Sequence, residues 1–245
     1  MQNNDQDFDW VYIDPSRRHD IKGKVFYLKD CLPNVPVHLD LLFSHSSNVL
    51  VKVSPMLDIS VGISELKHVK CIHILAIKNE VKELLFHLEM GYNGSIEIKT
   101  VNINNNNQTF NFKLDDLQNA KASYSEISNY LYEPNTALLK SSAFQLISKR
   151  LNVSKLHQHT HLYTSENLVD FPGRRFKILE TITYNKKTIT KAIGNKQVNL
   201  STRNFPESVS QLKQKFKLKD GGLTYVFFTT QFDNKKIVVI CEKEE

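Results

Sequence analysis

Three apolar runs in the first eighty residues are each cut off at their C-terminal end. Trp10-Val11-Tyr12-Ile13 stops at Asp14-Pro15, Val49-Leu50-Val51-Lys52-Val53 at Ser54-Pro55, and Cys71–Ile77 at Lys78-Asn79. Proline removes a ladder donor and drives the residue before it into extended geometry, so a strand ends there. Short helices are predicted near Leu39–Ser44 and Ser60–His68. Asn79 reads as an N-cap for a third helix, Glu80–Glu89, with Val81, Leu84, Leu85 and Leu88 at helical spacing. Strand, breaker and helix, repeated, predict a parallel or mostly parallel sheet covered by helices.

Beyond that sheet, Ile96–Ile103 and Thr109–Leu114 flank Asn104–Asn107 and read as a hairpin. A second half opens at Tyr130-Leu131-Tyr132-Glu133-Pro134-Asn135. One helix is predicted over Ala137–Leu151, then an extended piece at Leu162-Tyr163 and a boundary at Phe171-Pro172-Gly173. The remainder reads β-α-β-α-β-β. Its strands are 176–184, 197–202, 225–230 and 237–241, its helices 187–193 and 209–216. Gly221-Gly222 reads as a turn and Asp233-Asn234 as a hairpin tip.

Charge divides the chain at about the same place. Residues 1–128 carry 13 Lys and Arg against 16 Asp and Glu; residues 129–245 carry 19 against 10. Such an asymmetry points to one half that meets a polyanion. No apolar run reaches the roughly 18 residues that a membrane helix needs. The polar, acidic N-terminus does not read as a signal or transit peptide. Three cysteines without paired spacing fit a reducing cytoplasm and argue against a disulfide scaffold or a cysteine zinc site.

The sharpest chemical feature is Asp14-Pro15-Ser16-Arg17-Arg18-His19. In open α/β sheets, ligands bind outside the carboxyl ends of the strands. Asp14 and Ser54-Pro55 are expected on one such rim. A carboxylate there can accept from an amine or a base edge, and Arg17 and Arg18 suit phosphate or carboxylate. The plainer reading is that Asp14-Pro15 ends a strand and Arg17 pairs with an acidic neighbour. His19 could act as a general base or contact phosphate or water.

Reached through Trp10–Ile13, Asp14-Pro15-Ser16-Arg17-Arg18 resembles the fourth motif of class I S-adenosylmethionine-dependent methyltransferases. Val49–Pro55 and Met56-Leu57-Asp58 resemble the next strand and its loop. Asn199–Pro206 and Leu218-Lys219-Asp220-Gly221-Gly222 resemble the C-terminal THUMP-like domain of one bacterial branch, which also carries a ferredoxin-like module. The resemblance implies an α/β chain: the C-terminal half of a Rossmann-like methyltransferase sheet followed by two small α+β modules. It implies a partial methyltransferase domain at 1–128, a ferredoxin-like module at 129–172 and a THUMP-like domain at 173–245. It also implies S-adenosylmethionine as cofactor and RNA as substrate. Asp14 would orient the acceptor and Pro15 shape the rim. Arg17 and Arg18 would hold phosphate or close the site, with Ser16, His19, Ser54 and Pro55 lining it.

The sequence departs from that family in one respect. Its eight glycines form no G-x-G loop of the kind that cradles the cofactor, and the first strand looks like the family's fourth. The expectation is a C-terminal part of a longer protein that alone is inactive and does not bind S-adenosylmethionine measurably. A first strand with an unpaired edge and exposed apolar faces should result. The alternative is a non-catalytic RNA-binding module. C5 methylation of a pyrimidine usually needs an activated cysteine, and Cys31, Cys71 and Cys241 lack an evident base nearby. Transfer to nitrogen or oxygen is therefore favoured.

Residues 172–219 hold 12 Lys or Arg against two acidic residues. Arg174, Arg175, Lys177, Arg203, Lys213, Lys215, Lys217 and Lys219 are the candidate RNA contacts, against the plainer reading of a solubilising face. His157, His159 and His161 would share a face if they lay on one strand, as a metal site requires. With no cysteine near, they read instead as a polar, exposed segment, and no metal is expected.

Overall fold

A computed structural model describes residues 8–16, 18–19, 23–24 and 27–244. Arg17 lies outside them. The chain forms two compact units, one of residues 1–119 and 136–142, the other of residues 120–135 and 143–245.

The first unit opens with strand β1 (Val11–Ile13). A two-residue ribbon follows, β2 (Arg18–His19) against β3 (Gly23–Lys24). Helix α1 (Val35–Phe43) starts four residues before its predicted position, because Asn34 caps it by accepting from Val37 N and Pro36 sits in its first turn. Then come β4 (Asn48–Val53), α2 (Ile59–Glu65), β5 (Val69–Ile77), β6 (Glu80–Glu89), β7 (Glu97–Ile103) and β8 (Gln108–Lys113). The six strands run in the order β1-β4-β6-β5-β7-β8.

The expected helix over 80–89 is strand β6. Val81, Leu84, Leu85 and Leu88 fit a helical period, but Leu84, Phe86 and Leu88 fit a strand equally, and these three are fully buried. The turn decides between the periods. Lys78 and Asn79 both have positive φ, 49° and 63°. That is the backbone of a two-residue hairpin whose twist matches its strands. Asn79 is therefore a turn residue, not a cap of its own helix. Its side chain instead accepts from Thr136 N at 2.9 Å, at the start of α3 (Thr136–Lys140).

The sheet is accordingly mixed. β1 runs parallel to β4 and β5 to β7, while β6 is antiparallel to both its neighbours. Val49, Val51, Leu84, Phe86, Ile72 and Ile74 fill one face completely. α3 packs over β5, β6 and β7 on that core, and α1 over β4. Gly62 of α2 lets Phe86 approach so closely that a Cβ would stand 2.5 Å from the ring. Among the described residues β1 stands at the sheet's edge, with Trp10 and Tyr12 half-exposed.

The single helix expected over 137–151 is two. The chain breaks at Ser142, whose φ is 60°, and resumes as α4 (Phe144–Leu151) in the second unit. That unit begins with β9 (Tyr130–Pro134), and α4 leads into β10 (Ser154–His157) and β11 (Thr160–Ser165). The β-α-β-α-β-β order then follows: β12 (Gly173–Thr183), α5 (Lys186–Ile193), β13 (Gln197–Arg203), α6 (Val209–Phe216), β14 (Lys219–Thr230) and β15 (Lys236–Glu244). Asn185 caps α5 and a Ser208–Gln211 capping box starts α6.

All seven strands of this unit form one sheet, β10-β11-β9-β12-β15-β14-β13. Alternation along β14 and β15 feeds two cores. Val226, Phe228, Val238 and Ile240 pack with α5 and α6. Phe227, Val239 and Cys241 pack with Leu131, Leu156 and Phe176 on the other face. Gly221 and Gly222 do not form a turn between strands. They lie in a bulge within β14, since Val198 pairs with Asp220 and the next residue, Asn199, with Tyr225. Among the described residues, no helix is long and apolar enough to cross a membrane.

Candidate functional site

β1 and β4 are parallel and in register, with Ile13 beside Val51, so Asp14 and Ser54 leave the sheet at the same rim. Asp14 is exposed, and its Oδ2 accepts from Lys52 Nζ at 2.6 Å. That bond raises the Lys52 ammonium above its ordinary value. Asp14 is thus tied to β4. Pro15 is buried, and Ser16 pairs through its backbone with Leu32, at 2.7 and 3.1 Å. Arg18 and His19 lie in the β2–β3 ribbon.

Ser54 begins a tight turn. Its Oγ accepts from Met56 N at 3.1 Å and its carbonyl from Leu57 N at 3.1 Å, with Pro55 half-buried between. Asp58 then caps α2, accepting from Ser60 Oγ and Ser60 N, and these bonds hold its carboxyl below the usual range. The strand ends of this rim open on Asp14-Pro15, Ser54-Pro55, Lys78-Asn79 and Asn104-Asn105. None of these turns is a glycine cradle, so these residues do not by themselves fit the sulfonium cofactor.

All three cysteines are buried. Burial pushes the Cys71 thiol up and the Cys241 thiol up to about 12. A nucleophilic cysteine needs the opposite shift.

Ion pairing sorts the basic residues of the second unit. Arg174 and Arg203 both meet Glu133, a carboxylate only 6% exposed, with Arg174 Nε at 2.7 Å from Glu133 Oε2. Lys213 pairs with Asp220 at 2.5 Å. Lys215 reaches Glu207 at 2.8 Å and the Tyr184 hydroxyl at 2.7 Å. Arg175 stands 3.9 Å from Asp170. Lys177, Lys217 and Lys219 are exposed and make no ion pair among the described residues. Sequence reasoning missed Glu133. The available signal was a lone carboxylate inside the apolar run Tyr130–Pro134.

The three histidines do not share one strand. His157 ends β10, His159 lies in the turn and His161 is on β11. His157 Nδ1 accepts from His159 N at 3.1 Å, while Nε2 faces Asn234 Oδ1 at 3.2 Å. His161 stacks on Phe144 at 3.8 Å. Far from forming an exposed segment, His157 is buried and His161 half-buried. Among the described residues, no group of three or more His, Cys, Asp or Glu could hold a metal ion.

Residues 130–172 match a ferredoxin-like domain and residues 173–243 a THUMP domain-like family. The chain carries a ferredoxin-like domain followed by a THUMP-like domain. Its structure is similar to the crystal structure of a "putative methyltransferase" from Porphyromonas gingivalis W83, with 34% identity and a TM-score of 0.87. The similarity covers 97% of this chain and 60% of that one, so the chain spans about three-fifths of that protein's length. No curated protein matches it. The α/β class expected from the strand pattern holds.

Proposed function

We propose that this chain is the acceptor-side part of an S-adenosylmethionine-dependent methyltransferase that acts on RNA in the cytoplasm. In this reading residues 1–128 are the partial methyltransferase domain, 129–172 the ferredoxin-like module and 173–245 the THUMP-like domain. The observation that carries it is the rim shared by Asp14-Pro15 and Ser54-Pro55 at the carboxyl ends of two parallel strands. Such a rim is where open α/β sheets bind ligands.

Bound, S-adenosylmethionine supplies the electrophilic methyl group. Its holding residues, in this reading, belong to the part of the longer protein beyond these 245 residues. Asp14 accepts from the nucleophilic amine or hydroxyl of the acceptor and orients its lone pair, while Lys52 fixes the carboxylate. Pro15 and Pro55 stiffen the two turns, and Ser16 and Ser54 line the rim; Arg17 and Arg18 would hold phosphate or close the site with His19 beside them, though these side chains lie outside the described residues. The buried, unreactive thiols favour nitrogen or oxygen over pyrimidine C5 as the target.

The Asp14–Lys52 ion pair favours a second reading, in which the carboxylate is structural and the chain only binds RNA. Titrating the isolated chain with labelled RNA at several salt concentrations tests what both share. Affinity should fall steeply as salt rises, because lysines that meet phosphates release counterions. Flat salt dependence, or no binding at 50 mM salt, rejects RNA as the partner.

A further inference from the structure

Several exposed lysines of the THUMP-like domain make no ion pair among the described residues, and three of them stand beside a built backbone feature. α5 runs through Gly194 into left-handed Asn195 (φ 62°), and α6 ends in left-handed Lys217 (φ 54°). Buried Leu218 plugs the second of these turns. The two chain ends then zip together: Asn195 N donates to Phe216 O at 3.2 Å and Lys219 N to Lys196 O at 3.0 Å. Lys196, Lys217 and Lys219 are thereby gathered at the start of the parallel pair β13–β14. All three are exposed and make no ion pair among the described residues.

Next to them, residues 221–224 bulge from β14. Gln197 Nε2 donates to Asp220 O at 2.7 Å and Asn199 Nδ2 to Gly222 O at 2.8 Å, so side chains of β13 hold the bulge in shape. Gly221 has φ 111° and a Cβ there would stand 2.6 Å from the Gln197 side chain; Gly222 has φ 77°. Bulges of this kind re-aim side chains. This one presents Leu223, 89% exposed, the most exposed large apolar residue described. Of the nearby carboxylates, Asp220 is taken by Lys213, and Glu242 lies across from Thr224. The excess stays positive.

We propose that Lys196, Lys217, Lys219 and the Leu223 bulge form the docking surface for an unpaired RNA strand. The lysines would meet successive phosphates and Leu223 the face of an unstacked base. A duplex offers phosphates but no free base face, which selects the single strand. Arg174, Arg203, Lys213 and Lys215 already pair with carboxylates of the same unit and contribute less. This inference rests on the RNA reading above and narrows it.

The test uses the full 245-residue chain, a fluorescein-labelled 20-nucleotide single-stranded RNA and a duplex of the same length, by anisotropy against salt. The triple variant Lys196→Gln/Lys217→Gln/Lys219→Gln should reduce the log–log salt slope by about 2, at about 0.7 for each single-strand phosphate that a lysine no longer neutralises. Lys213→Gln/Lys215→Gln should change it little. Leu223→Ser should weaken the single strand several-fold and leave the duplex unchanged. Circular dichroism checks that these exposed substitutions leave the fold intact. If the wild type binds RNA and the triple variant binds equally well, this surface is wrong while the RNA reading stands. If Leu223→Ser affects strand and duplex alike, the base contact is wrong. If the wild type binds neither RNA, the RNA reading fails first.

Discussion

Glu133 offers a stability prediction whose sign depends on which partner is removed. Its carboxylate is 6% exposed, whereas the Arg174 and Arg203 side chains that grip it are 37% and 40% exposed. The desolvated member of the cluster is therefore the acid. Arg174→Met/Arg203→Met strips the buried charge of both cations, a change that costs about 3–5 kcal/mol. At about 3 °C per kcal/mol for a unit of this size, the melting temperature should fall by about 10–15 °C. Glu133→Gln keeps the shape and one acceptor, and the freed guanidinium groups turn to water. Its cost should be about 1–2 kcal/mol, or a few degrees. Thermal melts at pH 7 followed by circular dichroism read both. If Glu133→Gln proves as damaging as the double arginine variant, the carboxylate is not the desolvated partner and the reasoning is wrong.

Thr229 is fully buried and its hydroxyl has no hydrogen-bond partner among the described residues. Thr229→Val should therefore stabilise the protein by about 1 kcal/mol in denaturant titration, since it removes an uncompensated polar atom. Asn79→Ala should cost about 2 kcal/mol in the same titration, because it places alanine at φ 63° and removes the acceptor for Thr136 N. Burial lowers the pKa of His73, His87 and His161, helped by Lys99, Lys70 and Lys155 respectively. These rings take up protons at lower pH in the fold than in the unfolded chain, where histidine titrates near pH 6.5. Stability should hold above pH 7 and fall as pH drops, by at most about 1.4 kcal/mol per pH unit for each histidine. His161→Leu should flatten that acid limb; an unchanged pH profile would contradict the assignment.

What could be read from the sequence was set by how local its signals were. β1 and β4 were legible because each is a short apolar run closed by an X-Pro step. The order β12 to β15 was legible because each strand and helix carries its own short apolar pattern, and in the structure Asn185 and Ser208 cap the two helices. Residues 80–89 satisfied two periods at once, and only the backbone of Lys78-Asn79 separated them. Glu133 was missed because its partners lie on β12 and β13, far along the chain. Gly221-Gly222 carried a true local signal, backbone with positive φ, but that conformation serves a bulge as well as a turn. At the rim, sequence placed Asp14 and Ser54 together correctly, while Lys52, the side chain that fixes Asp14, looked like one more strand residue.

The proposed reaction is methyl transfer to RNA at the Asp14 rim. The direct measurement uses the longer protein that this proposal posits, with S-adenosylmethionine labelled in its methyl group and total cellular RNA. The expected result is label in RNA, and a loss of more than tenfold in Asp14→Asn with RNA binding unchanged. Label recovered only in protein or small molecules, or full activity in Asp14→Asn, would contradict it.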